Sequence, residues 1–214
     1  MRTILYLFTA SIFLVFISCQ KPEGNSYVEL KKIDTQSIHD IRSSDISKYY
    51  HFDSLHSTYF VDTLLLPKSF HFEEGEITFP VKENDFEEYK IKSTDKYYPL
   101  DSFALKNYKF KVIMYLTDGE NDTNIMNVKI NSYDSNNNLI DALLLDQHFN
   151  FEIECFRNFS ISSDKKIKII KYAITYANYS EEGDIIGGKS VPQRDSVIAN
   201  YLIDDSSGKF EKIK

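Results

Sequence analysis

Residues 108–131 read YKFKVIMYLTDGENDTNIMNVKIN, and this stretch decides the fold class. Tyr108, Phe110, Val112, Met114 and Leu116 fall at every second position. On an extended chain they share one face. Lys109 and Lys111 begin the other face, which turns apolar at Ile113 and Tyr115. Asp118-Gly119-Glu120-Asn121-Asp122 has turn chemistry. On the return, Met126, Val128 and Ile130 alternate with Asn127, Lys129 and Asn131. The spacing predicts an antiparallel hairpin with one apolar face and one wet face.

Downstream the pattern continues. Asp134-Ser135-Asn136-Asn137-Asn138 is a second turn, and residues 139–145 extend the hairpin into a three-stranded meander. Residues 149–156 alternate, and residues 167–176 follow a turn at Ser162-Ser163-Asp164-Lys165. Residues 178–195 carry Gly183, Gly187, Gly188 and Pro192 without periodicity and read as a long loop. Residues 197–203 and 209–213 flank Asp204-Asp205-Ser206-Ser207-Gly208 as a closing hairpin. The stretches 133–140 and 203–210 look alike, which reads as shared turn chemistry on too short a span to mark a duplication.

Upstream, residues 59–66 form a near-continuous apolar run stopped by Pro67 and read as a buried strand. Residues 76–81 alternate, with Pro80 demoting them to an edge, and residues 86–92 are a weaker strand. Residues 44–50 fit a short helical turn capped by Ser43 or Ser44. Nine or ten strands with no long amphipathic helix give an all-β class. The expected architecture is an antiparallel β-sandwich or a partly open barrel with hairpin and meander connections. The 15 Tyr and 16 Phe beside only 7 Gly and 5 Pro favour strands.

The first nineteen residues carry a different message. Arg2 precedes an apolar run over residues 4–17, then Ser18 and Cys19. A charged start, a short apolar core and a small residue are the parts of a secretory signal. The fourteen-residue run is shorter than the roughly 20 that span a bilayer. Phe16-Ile17-Ser18-Cys19 resembles the lipobox of bacterial lipoproteins, with Phe16 standing where an aliphatic residue is usual. The resemblance implies that Cys19 is lipidated and becomes the mature N-terminus. Gln20-Lys21-Pro22-Glu23 resembles the export signal of surface lipoproteins in the Bacteroidota, with Pro22 where a second acid is often found. A plain polar tether is the other reading of these four residues. The strand-rich remainder resembles small β-rich lipoproteins of that group, a likeness that implies no activity. The expected organisation is a signal at residues 1–18, a tether at 19–33 and one β-rich domain at 34–214.

Removing residues 1–18 takes Arg2 from the 25 basic residues and none of the 32 acidic ones, so the net charge moves from −7 to −8. An acidic chain without a basic block argues against nucleic acid. Once Cys19 carries lipid, Cys155 is the remaining thiol, which excludes an internal disulfide. Cys155 lies in phase with Phe149, Phe151 and Ile153 and reads as a core thiol.

Motifs for catalysis are missing: no Gly-x-Ser-x-Gly elbow and no glycine-rich phosphate loop appears. Asp118, Glu120 and Asp122 have the alternate spacing of a calcium loop. Thr123 stands where such a loop turns on Gly, and Lys129 where it needs Glu, so they read as a solvated turn and no metal is expected. Asp134, Asn136 and Asn138 read the same way. His51 and His56, five apart with Asp53 between them, share neither a helix face nor a strand face. Adjacent acids such as Glu73-Glu74 point to opposite strand faces and read as solubilising.

Tyrosines are the remaining route to function. Tyr172, Tyr176 and Tyr179 are the candidate ligand-binding residues, with Tyr115 and Tyr133 at similar polar-side positions. Clustered rings could stack on sugars or anchor a protein. The alternative is that they fill a second packing layer. The expected function is a lipid-anchored cell-envelope module that binds a glycan or a protein through residues 178–195 and nearby tyrosines, without a cofactor. Its only membrane contact would be the N-terminal lipid. An interaction or immunity lipoprotein acting on a protein partner is the alternative, and a hydrolase lacking a recognisable motif the third. Coplanar exposed aromatics would mark a glycan binder; a broader face would mark a protein partner.

Overall fold

The computed structural model describes residues 37–86, 90–119, 123–150 and 153–214. Cys19, the signal, the tether, Glu120 and Asp122 lie outside the described residues.

The chain is all-β, as its alternation predicts. After β1 (Ile41–Arg42), helical turn α1 (Ser43–Ile46) and a 3₁₀ turn (Ser47–Tyr49) come β2 (Tyr50–Asp53), β3 (Thr58–Val61), β4 (Phe70–His71) and helical turn α2 (Glu74–Ile77). The long strands follow: β5 (Lys96–Leu105), β6 (Tyr108–Asp118), β7 (Asn124–Tyr133), β8 (Leu139–Asn150), β9 (Ile153–Ile161), β10 (Lys166–Tyr179), β11 (Ile185–Ile203) and the short β12 (Phe210–Ile213). Strands β4 to β12 pair in sequence order and β1 adds to β9, giving a ten-stranded antiparallel sheet; β2 and β3 form a separate pair.

The sheet is folded double. β8 pairs with β7 from Leu139 to His148, then with β9 only at Phe149 and Asn150. One core takes Phe110, Val112 and Met114 from β6 and Val128 and Ile130 from β7, together with Phe159, Ile169, Ala199 and Tyr201 from β9 to β11. The two halves of the sheet therefore face each other. Lys82, from the segment after α2, bridges Leu143 of β8. Its ammonium donates to Asp141 Oδ2 (2.5 Å) and to the Phe210 carbonyl (2.7 Å). The Phe210 N–H donates to the same carboxylate at 2.8 Å, and the Phe210 ring meets Phe110 with centres 6.1 Å apart. β12 is thus pinned against β6 and β8 through side chains, without strand pairing to them, and the sheet is not closed into a barrel.

Turn chemistry behaves as its composition dictates. Asp134 accepts from the backbone N–H groups of Asn136 and Asn138, both at 2.8 Å. Asp204 accepts from the Ser206 N–H (2.9 Å) and the Ser207 hydroxyl (2.5 Å). Gly208 closes that turn at φ +72, and a Cβ there would lie 2.6 Å from Tyr108 Cδ1.

Several expectations are corrected. The wet face of the β6–β7 hairpin is buried: Asn127, Lys129 and Asn131 are 0–2% exposed. Phe72, Ile77 and Ile91 pack over Ile113 and Tyr115 and cover it. Tyr115 and Tyr133 are buried in this second layer. Tyr133 OH donates to Glu76 Oε1 (2.5 Å) and accepts from Asn131 Nδ2 (2.9 Å). Lys129 Nζ has no hydrogen-bond partner among the described residues and faces the Phe72 and Tyr115 rings at 5.0 and 5.4 Å. Burial drives its pKa down to about 8, against the pull of Glu76.

Residues 76–81 are not an edge strand. Glu76 reaches back to the Glu73 N–H (3.1 Å) and closes the turn of α2. Residues 59–66 stop pairing at Val61, because Asp62 captures the N–H groups of Leu64 and Leu65, both at 3.1 Å, in a turn. The cap of α1 is Arg42, whose N–H donates to Asp45 (2.8 Å), while Ser43 Oγ accepts from the Phe159 N–H (2.6 Å). Residues 149–156 are the end of β8 and the start of β9.

Candidate functional site

The stretch 178–195, expected as a loop, is mostly the far half of a long hairpin. β10 and β11 pair without interruption from Lys166↔Leu202 to Thr175↔Gln193. The register then jumps to Ala177↔Gly188, leaving residues 189–192 with Pro192 as a bulge. The chain reverses at residues 180–184, where the Ser180 N–H donates to the Asp184 carbonyl (2.8 Å) and Gly183 takes φ +92. Glycine and proline, read as loop signals, instead mark the bulge and the tip.

β12 covers β11 only at Asn200–Ile203. From Gln193 to Ala199, no strand among the described residues pairs with the outer edge of β11. An unpaired edge presents a row of backbone donors and acceptors. Val197 and Ile198 lie side by side on this stretch and are 65% and 55% exposed. Adjacent strand residues point to opposite faces, so both faces of the edge are apolar and open.

A recess of about 260 Å³ runs in from this edge at Asp195, Ser196 and Val197 to Cys155 and Phe86. Its geometry follows from register. Cys155, Ala173 and Asp195 stand in one row across β9, β10 and β11, and Arg157, Lys171 and Val197 in the next row of the same face. The small Cys155 and Ala173 side chains leave the hollow. Phe86 closes the far side and touches Phe149, ring centres 5.3 Å apart.

The cations at the recess are matched by carboxylates. Arg157 is 3% exposed and donates to Asp85 Oδ2 (2.9 Å) and Gln147 Oε1 (3.2 Å). Lys171 pairs with Glu83 and Asp85, each at 2.7 Å. Glu83 also accepts from Lys212 (2.8 Å) and the Tyr201 hydroxyl (2.5 Å). Burial acts to raise the Glu83 carboxyl, but the bonds from Lys171, Lys212 and Tyr201 outweigh it and hold the group at about 2. Burial pushes the Cys155 thiol up, which leaves less thiolate at neutral pH. Asp195 accepts from Gln193 Nε2 at 3.0 Å.

The three candidate tyrosines do not form a common platform. Tyr172 borders the recess, but its ring points to the opposite face, stacked on Phe156 at 4.9 Å and covered by Arg194 at 4.2 Å. Tyr176 is half-exposed and donates to Glu154 Oε2 (2.7 Å). The Tyr179 hydroxyl is buried with no hydrogen-bond partner among the described residues. Asp118 pairs with Lys92 at the end of β6. His56 binds Asp53 (2.6 Å) while His51 stacks on Phe60. Among the described residues no three His, Cys, Asp or Glu side chains group as metal ligands, and no helix is long and apolar enough to cross a membrane.

Arg157, Lys171 and Asp85 were not singled out from sequence. One signal was present: Arg157 falls in phase with Cys155, Phe159 and Ile161, so an apolar strand face carries a cation that must find a partner when buried. No family model, curated protein or solved structure matches this chain.

Proposed function

We propose that this chain is a lipid-anchored cell-envelope protein, held by Cys19, whose domain binds an extended segment of a protein partner without catalysis. The observation that carries the binding role is the edge of β11 from Gln193 to Ala199, with which no strand among the described residues pairs, and on whose two faces Val197 and Ile198 are exposed. An extended peptide laid along such an edge gains main-chain hydrogen bonds, and alternate side chains supply selectivity. The partner is therefore read through backbone first. An immunity lipoprotein that neutralises a protein is one form of this role. The glycan reading is disfavoured because Phe156 stacks on Tyr172 and Arg194 lies over the same ring, so this ring is already partnered within the chain.

The test uses the full chain and a displayed library of nine-residue peptides on an alternating Thr/Val framework. The tightest binder is resynthesised with N-methyl groups on one set of alternate amides, then on the other. Strand addition predicts that one set loses at least tenfold in affinity, about 1.4 kcal/mol, while the other binds as before. Equal tolerance of both sets overturns the reading. The anchor is tested separately: Cys19→Ser should move the protein from the membrane to the soluble fraction, and an unchanged distribution rejects lipidation at Cys19.

A further inference from the structure

We infer that the recess seats one aromatic side chain of the strand that adds to β11, an inference that rests on the strand-addition reading above. A strand paired along residues 193–199 places every second side chain on the face of Asp195 and Val197. The recess opens on that face at those residues, so one side chain of the added strand stands at its mouth and enters it by leaning across β11. At about 260 Å³ the hollow falls below the roughly 300–1,000 Å³ of a site for a free small molecule. It suits a single large side chain.

The chemistry of the walls selects the guest. Arg157 and Lys171 are already paired with Asp85 and Glu83, so an anionic guest would leave water without a new counter-ion there. Phe86, Ala173 and Val197 present apolar surface, and Cys155 adds a polarisable sulfur at the floor. An aromatic ring gains most from such surroundings, through area and through ring and sulfur contacts.

A second copy of the chain fits the edge less well. A two-fold axis through a symmetric β11 pair sets the residue on the axis opposite its own copy. Centring on Asp195 opposes two carboxylates, and centring on Arg194 opposes two guanidinium groups, each destabilising. Centring on Ser196 places Asp195 against Val197, and centring on Val197 avoids like charges but engages only residues 195–199, because β12 holds Asn200 onward, whereas a foreign strand can take the whole stretch 193–199. The observations favour a foreign strand.

The experiment takes the same library and randomises one position at a time against the full chain. Aromatic residues should be enriched at one position, and Ala there should cost about 30-fold in affinity, the size of an interface hot spot. Ala173→Trp fills the hollow. That variant should lose the aromatic preference while binding the Ala-bearing peptide as the parent does, which also shows that it has folded. A measurement on the unmodified chain stands beside it: iodoacetamide labelling of Cys155, followed by mass spectrometry, should be slowed by the aromatic peptide and not by its Ala variant. No aromatic preference, or unchanged Cys155 labelling, overturns the recess assignment and leaves strand addition standing. Insensitivity to N-methylation overturns both. Concentration-dependent dimerisation of the chain alone, blocked by the peptides, would put a second copy on the edge and also overturn both.

Discussion

Lys129 Nζ lies 5.0 Å from the centre of the Phe72 ring, and the side chain is fully buried. The ring face attracts the cation but does not replace lost water. The depressed pKa, about 8, against about 10.4 in an unfolded chain, sets the sign. Between these values the unfolded chain holds the proton more tightly, so stability rises with pH from 8 to about 10.4. Below pH 8 the full penalty applies.

Lys129→Met should therefore stabilise the fold at pH 7 by about 1–4 kcal/mol, the range for replacing buried charge with apolar volume. The variant should also lose the rise in stability between pH 8 and 10. Urea unfolding at pH 7 and pH 9.5 checks both. A less stable variant at pH 7 would mean that the ammonium has solvent or a partner in the folded state.

Glu83 has the opposite dependence. Its folded pKa, about 2, is below the unfolded value of about 4.3, so its contribution is present above pH 4.3 and is lost as pH falls toward 2. Glu83→Gln should destabilise at pH 7 by up to about 3 kcal/mol, each pKa unit being worth about 1.4. The gap from the parent should narrow steadily from pH 5 to pH 2. Urea midpoints along that series test it; a constant gap would assign the loss to packing.

Gly208→Ala should destabilise by about 1–3 kcal/mol, because a side chain is strained at positive φ and the new Cβ would meet the Tyr108 ring. The double variant Tyr108→Leu, Gly208→Ala should recover part of the loss, and the part that stays is the backbone cost. Thermal unfolding of the two single variants and the pair separates these. Additive losses would show that the ring contact is not responsible.

Much of the fold was legible where the signal is local. The alternation in residues 108–131 and the Asx chemistry of Asp134 and Asp204 each act within a few residues, and each appears as read. What failed depends on distant partners. Lys129 and Asn131 look wet until Phe72 and Glu76, more than 50 residues earlier, cover them. Gly187, Gly188 and Pro192 look like loop residues because a bulge and a loop use the same residue types. Of the candidate tyrosines, Tyr172 borders the recess by its backbone while its ring stacks on Phe156 on the opposite face. The recess is built from register across three strands, which no single segment encodes.

The pinning of β12 bears on how the protein is made. Lys82 meets Phe210 across 128 positions of sequence, and Asp141 meets it across 69. A chain of which residues 96–150 have emerged, N-terminus first, can form its meander, yet still lacks the strand that packs Phe210 against Phe110. Residue 210 must emerge before that contact forms. Until then the intermediate carries apolar surface and open strand edges, the features that make partly synthesised chains clients of chaperones.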